Sequence, residues 1–300
     1  AERAPRLMAL LQEAQRRALG VLCDDEMFSL GGGHGSRTWP LQALPESVDW
    51  STLSDVPTAL ITGSNGKTTT VRLVAAMAAA AGRSPGFNCT DGVFVDGECV
   101  LRGDYSGPAG ARAVLRDPRV QTAVLETARG GILRRGLAVR RADAAIVTNV
   151  SPDHFGEYGV HDLADLADAK LVVARALGPA GTLVLNADDP LLVAKSAALT
   201  VPLAWFAQDD AHPLLLAARE RGGGTCAVAG GRLRLYWRGV AHDLGAVAAM
   251  PLTVAGSAAY NIANLVGAAL LAAALGIGVE SIAAVCQHFG ARRDDNPGRL

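Results

Sequence analysis

Thr58-Ala-Leu-Ile-Thr-Gly-Ser-Asn-Gly-Lys-Thr-Thr69 decides the fold. Thr58–Thr62 is a short apolar run of strand length, and a helical pattern begins at about Lys67 and stops at Gly82. A strand, a glycine turn and a helix in that order are the context a phosphate-binding loop requires. Gly63 and Gly66 let backbone N–H groups converge on phosphate oxygens, and the helix start adds partial positive charge. Lys67 can reach β and γ phosphates, and Thr68 offers a hydroxyl to Mg²⁺. The loop departs from the commonest spacing, because Ile61 stands five residues before Gly66 where a Walker loop has glycine. It is the shorter G-x-x-G-K-T form.

Outward from the loop, buried strands are expected at Thr122–Glu126, Ala144–Thr148 and Thr182–Leu185, with helices near 108–116 and 162–177. That alternation predicts an α/β fold with a mostly parallel sheet flanked by helices. Asp96-Gly97 between Val93–Val95 and Glu98–Leu101 signals a two-residue hairpin, and Thr225–Trp237, turning at Gly230-Gly231, a small antiparallel region before two last helices. Before the loop, residues 5–20 have helical apolar spacing, the glycine run Gly31–Gly35 reads as flexible, and Pro40–Pro57 reads as a linker. Residues 1–55 are thus expected to be a short N-terminal leader separate from the α/β domain.

Charged residues are 19% of the chain and the formal net charge is −1, which removes the electrostatic case for nucleic acid or an anionic membrane surface. Thr253–Val279 carries no charge over a length that could span a bilayer. It holds Ser257, Tyr260, Asn261 and Asn264, several glycines and no basic flank, so a buried helix is the reading. Five dispersed cysteines without a C-x-x-C pair indicate neither a disulfide framework nor a zinc cluster and fit a reducing cytoplasm.

The string Thr62-Gly-Ser-Asn-Gly-Lys-Thr68 resembles the signature of the Mur ligase family. Leu125-Glu-Thr-Ala-Arg-Gly-Gly-Ile-Leu133, Thr148-Asn-Val-Ser-Pro-Asp-His154, Ala169-Lys170, Leu185-Asn-Ala-Asp-Asp-Pro190, Tyr260-Asn-Ile-Ala-Asn264 and Asn296-Pro-Gly-Arg299 follow in the family's order. Glu126–Leu133, Thr90-Asp-Gly92, Gly103-Asp104 and Gly107-Pro108 are closer to the cyanophycin synthetase branch than to cell-wall ligases. The resemblance implies a central ATP-binding domain over 56–298, with 299–300 starting a linker to a C-terminal domain absent from these 300 residues.

It also implies an activity. ATP would phosphorylate a small-molecule or peptide carboxylate, and an amino-acid amine would attack the acyl phosphate; in the cyanophycin branch arginine joins an aspartyl carboxylate. A nucleotide-binding module needing another domain or polypeptide, a different acid and amine, and a simple kinase or ATPase stay open. Self-association into a homo-oligomer stays open as well.

Ser64, Asn65 and Thr69 complete the nucleotide loop. Glu126 ends a strand at the carboxyl edge of the sheet, where a carboxylate suits a Mg²⁺ ligand, or else merely closes the strand at the surface. His154 could hold a second Mg²⁺ or orient water; a loop histidine is otherwise solvated. In relatives the lysine matching Lys170 is carbamylated and ligates metal; the bland alternative is a surface lysine. Asn261 and Asn264 could meet an adenine edge, or serve as cap or core amides. Arg299 matches a residue that in relatives contacts the nucleotide. Asn186, Asp188 and Asp189 read equally well as a turn that starts a helix.

Overall fold

Strand Thr58–Thr62 is buried along its whole length, and the structure grows outward from it. The computed structural model describes residues 5–152 and 159–299 of the chain. In chain order these form α1 (Pro5–Arg16), β1 (Val21–Cys23), β2 (Met27–Leu30), β3 (Arg37–Pro40), β4 (Thr58–Thr62), α2 (Lys67–Ala80), β5 (Pro85–Cys89), β6 (Gly92–Val95) and β7 (Glu98–Arg102). Then come α3 (Pro108–Arg116), β8 (Thr122–Glu126), α4 (Arg129–Arg135), β9 (Ala142–Val147), α5 (Leu163–Leu171), β10 (Leu177–Asn186), α6 (Pro190–Ser196) and β11 (Leu203–Asp209). The last are α7 (Pro213–Glu220), β12 (Thr225–Ala229), β13 (Arg232–Trp237), β14 (Val240–Ala246), α8 (Ala259–Ala274) and α9 (Val279–His288).

Among the described residues the main sheet has eleven strands in the order β14-β13-β12-β11-β10-β9-β4-β8-β5-β6-β7. The run from β12 to β5 is parallel, and β6–β7 and β13–β14 extend it as antiparallel edges. Parallel strands are covered on both faces, which is why β4 and β8 read as continuous buried runs without alternation. One face packs Ile61, Val124, Ile146 and Phe206 against α2, α8 and α9. The other packs Leu60, Leu125, Ala145 and Leu185 beneath α3, α6 and α7.

The expected hairpins form with the backbone their residues favour. Asp96 and Gly97 have φ of 51° and 83°, and Gly230 and Gly231 have 55° and 73°, the double positive φ of a two-residue turn whose twist matches the strands. Gly82, with φ 75°, ends α2 in the left-handed conformation expected just past a helix. The charge-free stretch becomes α8, sixteen residues long, and no helix among the described residues is long and apolar enough to cross a membrane.

The N-terminal segment is more ordered than its sequence implies. β1–β3 form an antiparallel sheet closed by α1 over a small core of Leu10, Ala14, Phe28 and Leu30. The glycine run is buried rather than flexible: a side chain at Gly33 would begin 2.2 Å from Val120 O, and one at Gly31, 2.4 Å from Gly35 O. Glycine here allows close backbone approach. Asp24 accepts from Arg116 (2.7 Å) and faces Arg112 (3.2 Å), while Arg116 Nε donates to Ser29 Oγ at 2.8 Å. These bonds clamp the small sheet onto α3. Arg116→Ala should therefore speed amide exchange of residues 21–40, by an opening free energy lowered about 1–2 kcal/mol, while exchange in β4 and β8 stays unchanged.

Candidate active site

The loop between β4 and α2 lies at the carboxyl ends of the parallel strands, where open α/β sheets collect ligands. Gly63 has φ 148° and Gly66, the residue that caps α2, has φ 83°. Both φ values strain any other residue, and a side chain at Gly63 would start 1.9 Å from Thr148 Oγ1 and one at Gly66, 2.0 Å from Asn264 Oδ1, so those neighbours would have to shift. The segment after β9 splints the loop. Thr148 Oγ1 donates to Asn65 O (2.6 Å), Asn65 N to Asn149 Oδ1 (3.0 Å), Asn65 Nδ2 to Ser151 Oγ (3.0 Å) and Ser64 Oγ to Ser151 O (2.9 Å). Asp189 caps α6 by accepting from Leu191 N and Leu192 N, and its other oxygen accepts from Val150 N at 2.7 Å. The helix-start reading of that turn is thus realised, and the same side chain ties the splint down.

Lys67 Nζ donates to Gly63 O and Ser64 O, each at 3.0 Å, so its ammonium spans the mouth of the loop. One residue on, Thr68 Oγ1 donates to Glu126 Oε2 at 2.8 Å and stands 3.4 Å from Thr90 Oγ1. Glu126 is 1% exposed. Burial drives its carboxyl up, the Thr68 hydroxyl and the Lys67 charge pull it back, and it settles at about 6 against an ordinary 4.5.

Among the described residues no three His, Cys, Asp or Glu side chains cluster as a metal set, and Glu126 Oε1 is buried without a hydrogen-bond partner. A buried carboxylate oxygen left unpaired is costly. It suits a cation whose other ligands are a hydroxyl, phosphate and water, which is how Mg²⁺ is commonly held. Thr68 and Glu126 therefore fit that ion.

Two cavities meet at Lys67. One, of about 360 Å³, is bounded by the loop, Thr69, Thr90, Glu126 and Arg299. The other, of about 480 Å³, lies beside it between Lys67, Asp104, Arg129, Arg134 and Lys170. A slot of about 90 Å³ on the far side of the loop is lined by Asn65, Gly66, Phe206, Tyr260 and Asn264. Tyr260 is 62% exposed, a flat aromatic surface at the slot's rim. A cavity of about 350 Å³ at the amino ends of the strands contains Asp55 and Asp143. Those carboxylates already accept from Gly20 N and Thr58 N, and the residues lining this cavity are distinct from those lining the cavities at the loop.

The structure sorts the remaining sequence-derived candidates. Lys170, on α5, is buried rather than a surface lysine and borders the second cavity. Thr69 Oγ1 accepts from Asn296 Nδ2 at 3.2 Å. Asn264 abuts Gly66, but Asn261 does not join it: it is fully buried and its Nδ2 donates to Leu252 O at 3.0 Å. Three residues along a helix leave two side chains about 60° apart around its axis, enough to send one to the slot and the other to the core. His154 lies outside the described residues. Arg299 donates to Thr90 and Asp91. Thr90, Asp91, Thr148 and Asn149 were not singled out from sequence as site residues; only their place within the family strings hinted at them.

A glycine-formed phosphate loop with a lysine, a hydroxyl and a buried carboxylate at the carboxyl edge of a parallel sheet defines a P-loop nucleotide-binding domain. The chain belongs to the Mur ligase family, since residues 61–272 match the Mur ligase middle domain. It is 36% identical over 270 residues to cyanophycin synthetase of Synechocystis sp. and 35% identical over 270 residues to that of Nostoc sp., covering 87% of this chain in each case. The aligned part is 31% of the first relative and 30% of the second, so the chain spans about a third of their length. Among solved structures, a UDP-N-acetylmuramoyl-L-alanyl-D-glutamate--2,6-diaminopimelate ligase superposes with a TM-score of 0.58 at 18% identity, over 77% of this chain and 46% of the other. That likeness is one of fold.

The Glu126 carboxyl gives a test. Between pH 4.5 and about 6 the folded chain holds a proton that the unfolded chain has released, so this residue lowers stability progressively as pH rises through that window. In nucleotide-free protein, Glu126→Gln should raise the unfolding free energy at about pH 8 by about 2 kcal/mol, and the gain should vanish below about pH 4.5. Equal stability of the two proteins at the higher pH would contradict the burial argument. Gly66→Ala should weaken nucleotide binding by about 5–100-fold, because a methyl there displaces Asn264 and strains the loop by about 1–3 kcal/mol; equilibrium binding of MgATP measures it.

Proposed function

We propose that this domain binds MgATP on the Gly63–Thr69 loop and uses it to activate a carboxylate for amide formation. The observation that carries the reading is the position of Lys67, which borders both the cavity against the loop and the neighbouring cavity ringed by Arg129, Arg134 and Lys170. A γ-phosphoryl group in the first would meet a carboxylate in the second at that ammonium.

A carboxylate oxygen attacks the γ-phosphorus, the bond to ADP breaks, and an acyl phosphate forms. The amine nitrogen then attacks the acyl carbon and loses a proton as inorganic phosphate departs. Little covalent chemistry is asked of the protein; positioning and charge stabilisation do the work. Lys67 and the amino end of α2 face the charge that develops on the phosphoryl oxygens. When bound, Mg²⁺ would neutralise phosphate charge, with Thr68 and Glu126 as its protein ligands.

The slot beside Gly66 suits a purine, with Asn264 offering an amide to its edge and Tyr260 a stacking surface. Asn261 serves this only indirectly, by fixing the Leu252 backbone ahead of α8. His154 and a carbamate on Lys170 are proposed as further metal ligands, on the sequence resemblance.

Similarity to cyanophycin synthetase supports an acidic substrate, with arginine joining an aspartyl carboxylate. The free, dispersed cysteines support a reducing cytoplasm. With an aspartate-containing peptide and arginine, phosphate release from MgATP should require both acid and amine. Lys67→Ala should lower it about 10²–10³-fold without changing the circular dichroism spectrum. Release without either substrate would identify an ATPase instead.

A further inference from the structure

Arg299 comes to the phosphate cavity from the C-terminal segment, and its position there is set by residues far away in sequence. Asp91, in the turn joining β5 to β6, receives the guanidinium as a fork: Nη1 donates to Oδ2 at 2.8 Å and Nη2 to Oδ1 at 3.0 Å. Nη2 also donates to Thr90 Oγ1 at 3.1 Å. Asp91 Oδ2 takes a third donor, Arg72 Nη2, at 3.0 Å.

Arg72 is itself tightly placed. Only 9% exposed, its guanidinium carbon sits 5.6 Å from the Phe87 ring centroid and 5.0 Å from that of Phe94. Those two rings stack 4.8 Å apart. Cation–π contact and burial leave Arg72 little freedom, so Asp91 is anchored from behind. From the other side Asn296 Nδ2 donates to Thr69 Oγ1 and to Arg299 O, each at 3.2 Å.

We infer that Asp91 is a positioning residue of the nucleotide site: anchored by Arg72 on the Phe87–Phe94 stack, it holds the Arg299 guanidinium at the edge of the phosphate cavity. The inference rests on the ATP reading of the loop. Three consequences of the geometry support it. A long arginine on a chain segment outside any helix or strand loses much rotamer freedom when it binds a phosphate, and a preformed carboxylate fork removes that cost beforehand. Arg299 also interacts electrostatically with Glu126; tethered to Asp91, it does not close on the carboxylate that suits the metal. Finally, one carboxylate shared between two arginines leaves net positive charge facing the cavity. An exposed ion pair alone would be worth little; a forked, three-donor carboxylate backed by a buried arginine is a different case.

The test is a double-mutant cycle on MgATP binding by calorimetry. Asp91→Asn and Arg299→Ala should each weaken MgATP about fivefold, and the double variant should be no weaker than Arg299→Ala alone. Asp91→Glu should restore part of the loss. Equal weakening by Asp91→Asn in the presence and absence of Arg299 would overturn the inference.

A second readout needs no nucleotide. Amide exchange of residues 292–299 should be about fivefold faster in Asp91→Asn and unchanged in Lys67→Ala. Unchanged exchange in Asp91→Asn would also overturn it. If the wild-type chain binds no MgATP while Asp91→Asn still releases the segment, the ATP reading fails and the tether stands.

Discussion

Two backbone positions, Gly63 and Gly66, carry the site. Thr148 Oγ1 and Asn264 Oδ1 occupy the volume their side chains would fill, so the loop lies tightly between the segment after β9 and the helix α8, brought there from distant parts of the chain. The same closeness lets Thr148, Asn149 and Ser151 hydrogen-bond the loop backbone, leaving its geometry set before any ligand arrives. Preorganised donors of this kind act on developing charge without reorganisation cost. The parallel sheet, its two helical faces and the splint after β9 all serve that one approach.

Around the loop the charges are arranged by depth. Glu126 is nearly sealed, with one oxygen satisfied by Thr68 and the other without a partner among the described residues, a state that favours a cation beside it. Lys67 lies between two cavities, and arginines from α4 with Lys170 border the outer one. A sequence with net charge near zero thus gathers several of its basic side chains, with Asp104 and Glu126, around the loop. Its electrostatic character is local, which the total of −1 conceals.

Much of this was legible from residues alone. Strand–loop–helix order, the Asp96-Gly97 and Gly230-Gly231 turns and the end of α2 at Gly82 depend on local backbone preferences, and these the chain obeys. β5 and β11 were not read: β5, Pro-Gly-Phe-Asn-Cys, is buried without being apolar, and β11 shows no alternation, so periodicity marks neither. The Gly31–Gly35 run looked flexible, since composition cannot tell a glycine that moves from one that lets Val120 approach. Asn261 and Asn264 looked like a pair; only the packing of α8 against Leu252 and Gly66 separates them. Asp91 was invisible as a partner of Arg299, 208 residues away, because tertiary pairing leaves no local mark. His154 and the proposed carbamate on Lys170 rest on the resemblance.

The central claim is that the carboxylate substrate becomes an acyl phosphate at Lys67, and isotope transfer reads that step directly. With an aspartyl peptide labelled with ¹⁸O in its carboxylate, MgATP and arginine, the account predicts ¹⁸O in the inorganic phosphate released, in step with amide formed. Amide and phosphate formed with no label in the phosphate would contradict it.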